Sequence, residues 1–224
     1  MKMDTVSIMD IASILLQMAN MPSVATIAPE IVPVGKRIAT RARICDTASA
    51  LFFDAGFAAV TMEEIAEAVG IRRSTLYLHF RDKDAILAAI AETYTIKLRD
   101  VIARLAGPEP TRDEIVRWVT EMADFVSHNR AATELLVSLS HLPKAPAAAI
   151  AFGSALQAMM AERVAAFHRA IQPGQTLAYA AGVAAMDGLG WALCHHARSG
   201  GNELSQCRLT VAATQLDRFV RGEY

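Results

Sequence analysis

Residues 61–80 read TMEEIAEAVGIRRSTLYLHF, and this stretch decides the fold. Thr61, followed three residues later by Glu64, forms the capping box that predicts the start of a helix. Gly70 can adopt the positive φ angle of a tight turn, and the residues after it predict a second short helix over 72–80. Two short helices joined by such a turn are typical of a helix-turn-helix, which places its second helix in the major groove of DNA.

The polar side chains of this stretch gather around the first half of the second helix, where a recognition helix meets base edges. Arg72 and Arg73 can each donate two hydrogen bonds to guanine, so we expect at least one of them to contact a base. The alternative is that both side chains are solvated or face phosphates. Thr61 and Lys83 are expected at phosphates. His79 either meets phosphate or holds the junction to the next helix. The predicted DNA-binding set is Thr61, Arg72, Arg73, Ser74, Thr75, Tyr77, His79 and Lys83.

Over residues 43–87 the sequence resembles the TetR/AcrR family of transcriptional repressors. The matching residues are Ala48, Phe52, Gly56-Phe57, Thr61, Ile65-Ala66, Ala68-Val69-Gly70-Ile71, Thr75-Leu76-Tyr77, His79-Phe80 and Lys83. The resemblance implies an all-helical homodimer with a small N-terminal DNA-binding domain and a larger C-terminal domain that binds an effector. It also implies that Tyr77 contacts a phosphate. Arg72 and Ser74 depart from the family, which often has serine and glycine there, so we expect an unusual DNA sequence to be recognised.

Helical periodicity continues from Gly35 to the end of the chain, and three prolines interrupt residues 22–34 before it. We therefore predict an all-α fold. Its parts are an N-terminal extension and linker at 1–34, an N-terminal three-helix helix-turn-helix DNA-binding domain at 35–83, and a C-terminal helical effector-binding and dimerisation domain at 84–224. One continuous helix is predicted over 147–171.

The composition limits the classes of function that remain. The chain has 224 residues and a formal net charge of −1, so contact with DNA requires a local basic patch. The basic stretch at 36–43 either follows the DNA backbone or is solvated; its cations are Lys36, Arg37, Arg41 and Arg43. Widely spaced cysteines without a CxxC pair indicate a reducing cytoplasm. We predict no cofactor, metal or catalytic site, and we expect residues 177–194 to be a buried helix rather than a membrane span.

Methionine and aromatic side chains in the C-terminal part suit an adaptable apolar cavity, although stripes at helical spacing are also typical of a plain core. The predicted effector-binding set is Trp118, Met122, Phe125, Phe152, Met159, Met160, Phe167, Met186, Asp187 and Trp191. Asp187 lies within an apolar helix, where a carboxylate needs a partner. That partner is expected to be His168, His195, His196 or a ligand; otherwise Asp187 faces solvent or a dimer interface.

The last two predicted helices are expected to form a homodimer interface, with the same patch used twice. The apolar stripe of the last helix consists of Leu209, Ala212, Leu216, Phe219 and Val220. Gly182, Gly188 and Gly190 would let a partner approach the preceding helix closely.

These patterns predict a cytoplasmic transcriptional repressor without enzymatic activity. It would bind a palindromic operator in double-stranded DNA as a homodimer, and a small, apolar effector would release it. Two alternatives stay open at this point: a transcriptional activator of the same fold, and a helical binding module that a protein partner controls through residues 1–34.

Overall fold

The computed structural model describes residues 34–224, which form ten helices and contain no strand. The helices are α1 (Val34–Ala55), α2 (Met62–Val69), α3 (Arg73–His79), α4 (Lys83–Ile102), α5 (Arg112–His128), α6 (Arg130–Ser140), α7 (Ala147–Arg163), α8 (Ala165–Ala170), α9 (Thr176–Ser199) and α10 (Glu203–Arg221). The predicted all-α fold is confirmed. The predicted extension and linker lies outside the described residues except for Val34. Residues 38–224 form one compact unit, and its division at residue 83 stays a prediction.

The capping box predicted at the start of α2 is present. The Glu64 N–H donates to Thr61 Oγ1 at 3.3 Å, and the Thr61 N–H donates to Glu64 Oε2 at 2.8 Å. The hydrogen bond from the Thr61 backbone, together with the one from its side chain, lowers the pKa of the Glu64 carboxyl group. Gly70 ends α2 with a φ of 73°, and the Ile71 N–H donates to the Ala66 carbonyl at 3.0 Å. Because both ends of α2 are satisfied, the turn directs the chain into α3.

A small apolar core holds α1 to α4 together. Its fully buried side chains include Ile44 and Phe52 of α1, Ile65 of α2, Leu76 of α3 and Ile86 of α4. Burial of such a side chain stabilises the fold by about 1.5–3 kcal/mol relative to exposure. Since α3 is only seven residues long, this packing rather than helix propensity accounts for its stability.

The helix predicted over 147–171 is interrupted at Val164, whose backbone is extended (φ −122°, ψ 122°). The loop after α4 reaches this break. Arg163 Nε donates to the Leu105 carbonyl at 2.6 Å, and the Ala165 N–H donates to the Pro108 carbonyl at 2.8 Å. The prediction of one continuous helix is therefore wrong, because the loop supplies an acceptor that the spacing of apolar residues does not reveal.

The long helix α9 is central to the C-terminal part. By length and composition it is the one helix in residues 34–224 that could cross a membrane, although the sequence predicts a buried helix there. It packs against α5, α6, α8 and α10, but the helix is buried on part of its surface only, since Leu177 and Trp191 are 70% and 45% exposed. Gly182 permits the closest approach, because a Cβ atom at this position would lie 2.9 Å from Cζ of Phe219.

The apolar stripe of α10 lies inside the protomer rather than at a free surface. Ala212, Leu216 and Phe219 are at most 3% exposed, and the Phe219 ring packs on Phe167 with 4.6 Å between ring centroids. The assignment of these residues to a dimer interface is therefore wrong. Helical spacing shows that the stripe is buried, but it does not show whether the same chain or another one covers it.

Two glycine substitutions should change the free energy of unfolding in opposite directions. Gly70→Ala should destabilise by about 1–2 kcal/mol, because alanine is strained at a φ of 73° although no atom lies near its Cβ. Gly153→Ala, within α7 and equally free of neighbours, should stabilise by about 0.5–1 kcal/mol through lower backbone entropy. Chemical denaturation measures both, and equal shifts in the two variants would contradict the left-handed turn.

Candidate DNA-binding interface and effector cavity

The outward face of α3 gathers most of the predicted DNA-binding residues. Arg72, Arg73, Ser74 and Tyr77 are exposed there, whereas Thr75 and His79 are half-buried. Arg72 is the N-cap residue of α3, and its side chain makes no capping hydrogen bond, as expected for arginine in place of serine. Within residues 34–224 the Arg72 guanidinium has no protein partner and is free to meet a ligand.

Arg73 differs from its neighbour because protein groups already hold it. Its Nη2 lies 2.6 Å from Glu63 Oε1 and 3.5 Å from the Tyr77 hydroxyl oxygen. The guanidinium carbon also lies 5.4 Å from the centre of the Tyr77 ring. The Tyr77 hydroxyl and the Glu63 carboxylate raise the pKa of Arg73. A base contact by Arg73 would require the exchange of Glu63 for a guanine, a cost that Arg72 does not have.

Lys83, the one lysine of the predicted DNA-binding set, is engaged by backbone carbonyls. Lys83 Nζ donates to the carbonyls of Phe57, Ala58 and Val60 at 2.8, 2.9 and 3.2 Å. These three bonds tie the start of α4 to the loop between α1 and α2. An ammonium group has three donors, so none is left for a phosphate unless this loop moves.

Arg41 ties α1 to the end of α3. Its Nη1 donates to the His79 carbonyl at 2.9 Å, and its guanidinium carbon lies 4.0 Å from the centre of the Phe80 ring. The backbone of His79 is therefore tied to α1, and the choice between the two roles that the sequence leaves open for this residue stays a prediction. Thr61 donates its hydroxyl hydrogen to Glu64 Oε2 at 2.8 Å, so the hydroxyl is used within the capping box.

One exposed residue on this face is missed by the sequence analysis. Leu78 is 77% exposed, and it lies one helical turn after Ser74 on the same side of α3. The signal was present in the spacing, because an apolar residue four positions after a polar one on a short helix falls on the polar face. Apolar side chains at such a position can contact the methyl group of thymine or a sugar.

A cavity of about 120 Å³ lies among α4 to α9. Met122, Phe152, Phe167, Met186 and Asp187 line it, as the sequence predicts. The residues that sequence reasoning missed include Tyr94, Thr133, His141, Gln157 and Tyr179. Tyr94 and Thr133 lie on helices without a predicted cavity residue, and His141 follows one of them, whereas Gln157 and Tyr179 share α7 and α9 with predicted residues.

The other predicted effector residues have different positions. Met159 and Met160 are buried outside the cavity lining, and Trp118 donates from Nε1 to the Val101 carbonyl at 2.9 Å within the core. Phe125 packs on the ring of Tyr94, with 5.4 Å between centroids. Trp191 is 45% exposed. None of the five lines the cavity, because apolar periodicity marks the buried side of a helix without showing where packing leaves space.

Asp187 has a partner that differs from the predicted histidines. Its Oδ1 lies 3.4 Å from Nε2 of His141, which follows directly after α6. Nδ1 of His141 lies 2.7 Å from the Val137 carbonyl, which can only accept, so this nitrogen carries a hydrogen. The expected pairing of Asp187 with His168, His195 or His196 is wrong, because the ring of His141, at the end of α6, occupies the position beside the carboxylate.

The N-terminal helices are similar in sequence to known bacterial regulators. A family model described as bacterial regulatory proteins of the tetR family matches residues 44–90. The HTH-type transcriptional regulator YerO of Bacillus subtilis (strain 168), itself described as uncharacterized, is 35% identical over 91 residues, which are 38% of this chain and 31% of that protein. Relatives from Mycobacterium tuberculosis and Rhodococcus jostii are named transcriptional repressors. The chain spans less than two thirds of the length of each of these relatives.

Solved structures share the fold over most of both chains. A TetR family transcription regulator from Marinobacter aquaeolei VT8 matches with a TM-score of 0.61 at 16% identity, covering 81% of this chain and 97% of that one. FadR of Bacillus subtilis, solved in complex with stearoyl-CoA, matches with a TM-score of 0.56 at 13% identity, covering 82% and 99%. At these identities the likeness shows the fold alone. The match at residues 44–90 confirms the resemblance of this region to the TetR family of bacterial regulatory proteins, and the shared fold extends that likeness to most of the chain.

Proposed function

We propose that the protein is a sequence-specific DNA-binding transcriptional repressor that acts as a homodimer in the cytoplasm. The observation that carries this proposal is the outward face of α3, with the unpartnered Arg72 at its start and Ser74 and Leu78 beside it. The Arg72 guanidinium can donate two hydrogen bonds to a guanine in the major groove. A homodimer presents this face twice, so it fits a palindromic duplex with half-sites about one helical turn apart. The repressor names of several relatives support repression.

The contacts of the other cations suggest a division of roles. Arg73, held by Glu63, supports the Tyr77 hydroxyl at the edge of the face, where Tyr77 would meet a phosphate. Glu63 and Glu64 lie in the first turn of α2, and their negative charge disfavours a phosphate at this helix start. We therefore assign Thr61 to capping and Lys83 to anchoring the loop between α1 and α2.

The dimer interface is proposed on the outer face of α9 and α10. Trp191, Leu204 and Val211 are 45%, 57% and 58% exposed and line one groove between the two helices. An exposed apolar patch of this kind is typical of an interface, and two helices from each copy would form a four-helix bundle.

The cavity among α4 to α9 is proposed as the effector site. A ligand that binds better to a dimer with separated α3 helices shifts the population toward that state and releases the DNA. FadR of Bacillus subtilis, which shares this fold and was solved in complex with stearoyl-CoA, supports binding of a small molecule by a protein of this fold. The cavity of this chain is small and its lining contains no lysine or arginine.

Arg72→Ala tests the central proposal. Duplexes selected from a random-sequence library by the wild-type protein serve as the specific probe, and a scrambled duplex serves as the reference. The variant should lose about 1–3 kcal/mol of binding free energy on the selected duplex and lose its preference at one position per half-site, because a guanine contact disappears. Fluorescence anisotropy measures both affinities.

Arg81→Ala is the matched control, since Arg81 pairs with Asp82 outside α3. If Arg72→Ala weakens both duplexes equally, Arg72 contacts phosphate only; if neither affinity changes, α3 is not the DNA-reading helix.

Lys83→Met separates an anchoring role from a phosphate contact. Loss of three hydrogen bonds from a half-buried ammonium group should lower the free energy of unfolding by about 2 kcal/mol. The slope of log Kd against log salt concentration should stay at the wild-type value. Urea denaturation and a salt series of anisotropy titrations measure the two quantities. Unchanged stability together with a slope reduced by about one unit would support a phosphate contact instead.

Val211→Glu and Leu216→Glu distinguish the two faces of α10. Val211→Glu should produce folded monomers, because it places a charge in the exposed groove between α9 and α10. Leu216→Glu should unfold the protein, because Leu216 is 1% exposed inside the protomer. Thr210→Glu, exposed on α10 outside that groove, should remain dimeric. Sedimentation and circular dichroism report both properties, and a dimer of undiminished strength in Val211→Glu would refute the proposed interface.

A further inference from the structure

The effector cavity has a size that limits what can enter it. Its volume is about 120 Å³, close to that of a cavity of ~150 Å³ that accepts one benzene molecule. The side chains of Leu98, Met122, Val126 and Leu193 form apolar parts of its wall. The cavity therefore suits one six-membered ring or a short branched hydrocarbon without rearrangement of the helices.

The charge of the lining distinguishes between ligand head groups. Asp187 is the one carboxylate among the lining residues, and no lysine or arginine occurs among them. His141 is the one potentially cationic group there, and it already faces Asp187. An anionic ligand would meet a carboxylate without an arginine to neutralise it, whereas a cationic ligand would find Asp187 as its counter-ion.

Aromatic rings in the lining favour the same sign of charge. Tyr94, Phe152, Phe167 and Tyr179 contribute ring faces or edges to the cavity. The faces of such rings attract ammonium groups through their quadrupole. Burial raises the pKa of Tyr94 and outweighs the hydrogen bond from Thr133, which lowers it, so this ring stays neutral. Tyr179 donates its hydroxyl hydrogen to Gln157 at 3.1 Å, which leaves that edge of the cavity neutral as well.

We propose that the cavity selects a small aromatic or branched aliphatic amine, whose ring or hydrocarbon part fills the space while its ammonium group replaces His141 as the partner of Asp187. This inference rests on the proposed function, because it names the effector class of the same site. Asp187 is about half exposed, so its charge stays at the mouth and the apolar part of the ligand lies deeper.

The exchange of partners also gives the ligand a route to the DNA-binding helices. The contact between His141 and Asp187 joins the end of α6 to α9, and the His141 ring packs on Trp191 at 5.7 Å between centroids. At its other end, α6 begins with Arg130, whose guanidinium lies 5.4 Å from the centre of the Phe53 ring on α1. Release of His141 would therefore remove one of the contacts that hold the end of α6 to α9, and α6 also contacts α1.

Three probes that share one skeleton test the ligand class. They are 2-phenylethylamine, 2-phenylethanol and 3-phenylpropionate, and calorimetry measures their affinities for the full-length protein at neutral pH. The amine should bind about tenfold more tightly than the alcohol, from one ion pair and its contacts with ring faces, and the carboxylate should bind most weakly. Asp187→Asn should bring the amine to within about twofold of the alcohol and leave the alcohol unchanged. Asp124→Asn, an exposed carboxylate on α5 outside the cavity, should keep the full preference.

The proposal is overturned if the carboxylate binds as tightly as the amine, if Asp187→Asn keeps the preference for the amine, or if none of the probes binds at millimolar concentration. DNA binding is measured separately by anisotropy on the selected duplex. Failure of the ligand-free protein to bind any duplex would refute the proposed function without touching the ligand class. An amine that binds at Asp187 but leaves the DNA affinity unchanged would refute control by the ligand and keep the assignment of the cavity.

Discussion

Burial of Leu76 and Phe80 against α1 and α4 is the constraint on which the DNA-facing surface depends. A helix as short as α3 has little stability of its own, so it persists because these two side chains are held in the core. With 3.6 residues per turn, burial at these positions turns residues 73, 74, 77 and 78 outward. The left-handed turn at Gly70 delivers the chain to this orientation, and the capping box at the start of α2 fixes the helix before it.

Positive charge in this region serves the fold as much as it serves DNA. Arg41 holds the end of α3, Lys83 holds the loop between α1 and α2, and Arg73 is paired with Glu63. Each of these cations contacts an acceptor of the protein instead of water. These contacts make the orientation of α3 more rigid, and they leave fewer cations for nonspecific attraction to phosphates. Arg72 thereby becomes the strongest candidate for recognition of a base.

The C-terminal helices combine close packing with one unfilled space. At Gly182 the Phe219 ring approaches the backbone of α9, and Gly182 also lines the cavity, where the Tyr94 ring of α4 meets the Phe152 ring of α7 at 68°. The loop after α4 forms hydrogen bonds on both sides of Val164, where α7 ends. This break lets α8 turn and place Phe167 at the cavity wall. Polar pairs border this space, so its chemistry is decided by side chains from six different helices and the residue after α6.

The sequence by itself determined those features that local physics controls. The helical class, the capping box at Thr61, the turn at Gly70 and the failure of Arg72 to cap α3 all depend on residues within a few positions of one another. Helical periodicity also marked the buried stripe of α10, whereas α9 has an exposed side that its apolar composition does not reveal. Only the tertiary structure decided the partners: His141 for Asp187, three carbonyls for Lys83, and α9 of the same chain for the apolar stripe of α10. The physical reason is that hydrogen bonds within a helix follow a fixed spacing. Ion pairs, covered faces and cavities instead depend on where separate helices cross, and no spacing within one helix encodes that position.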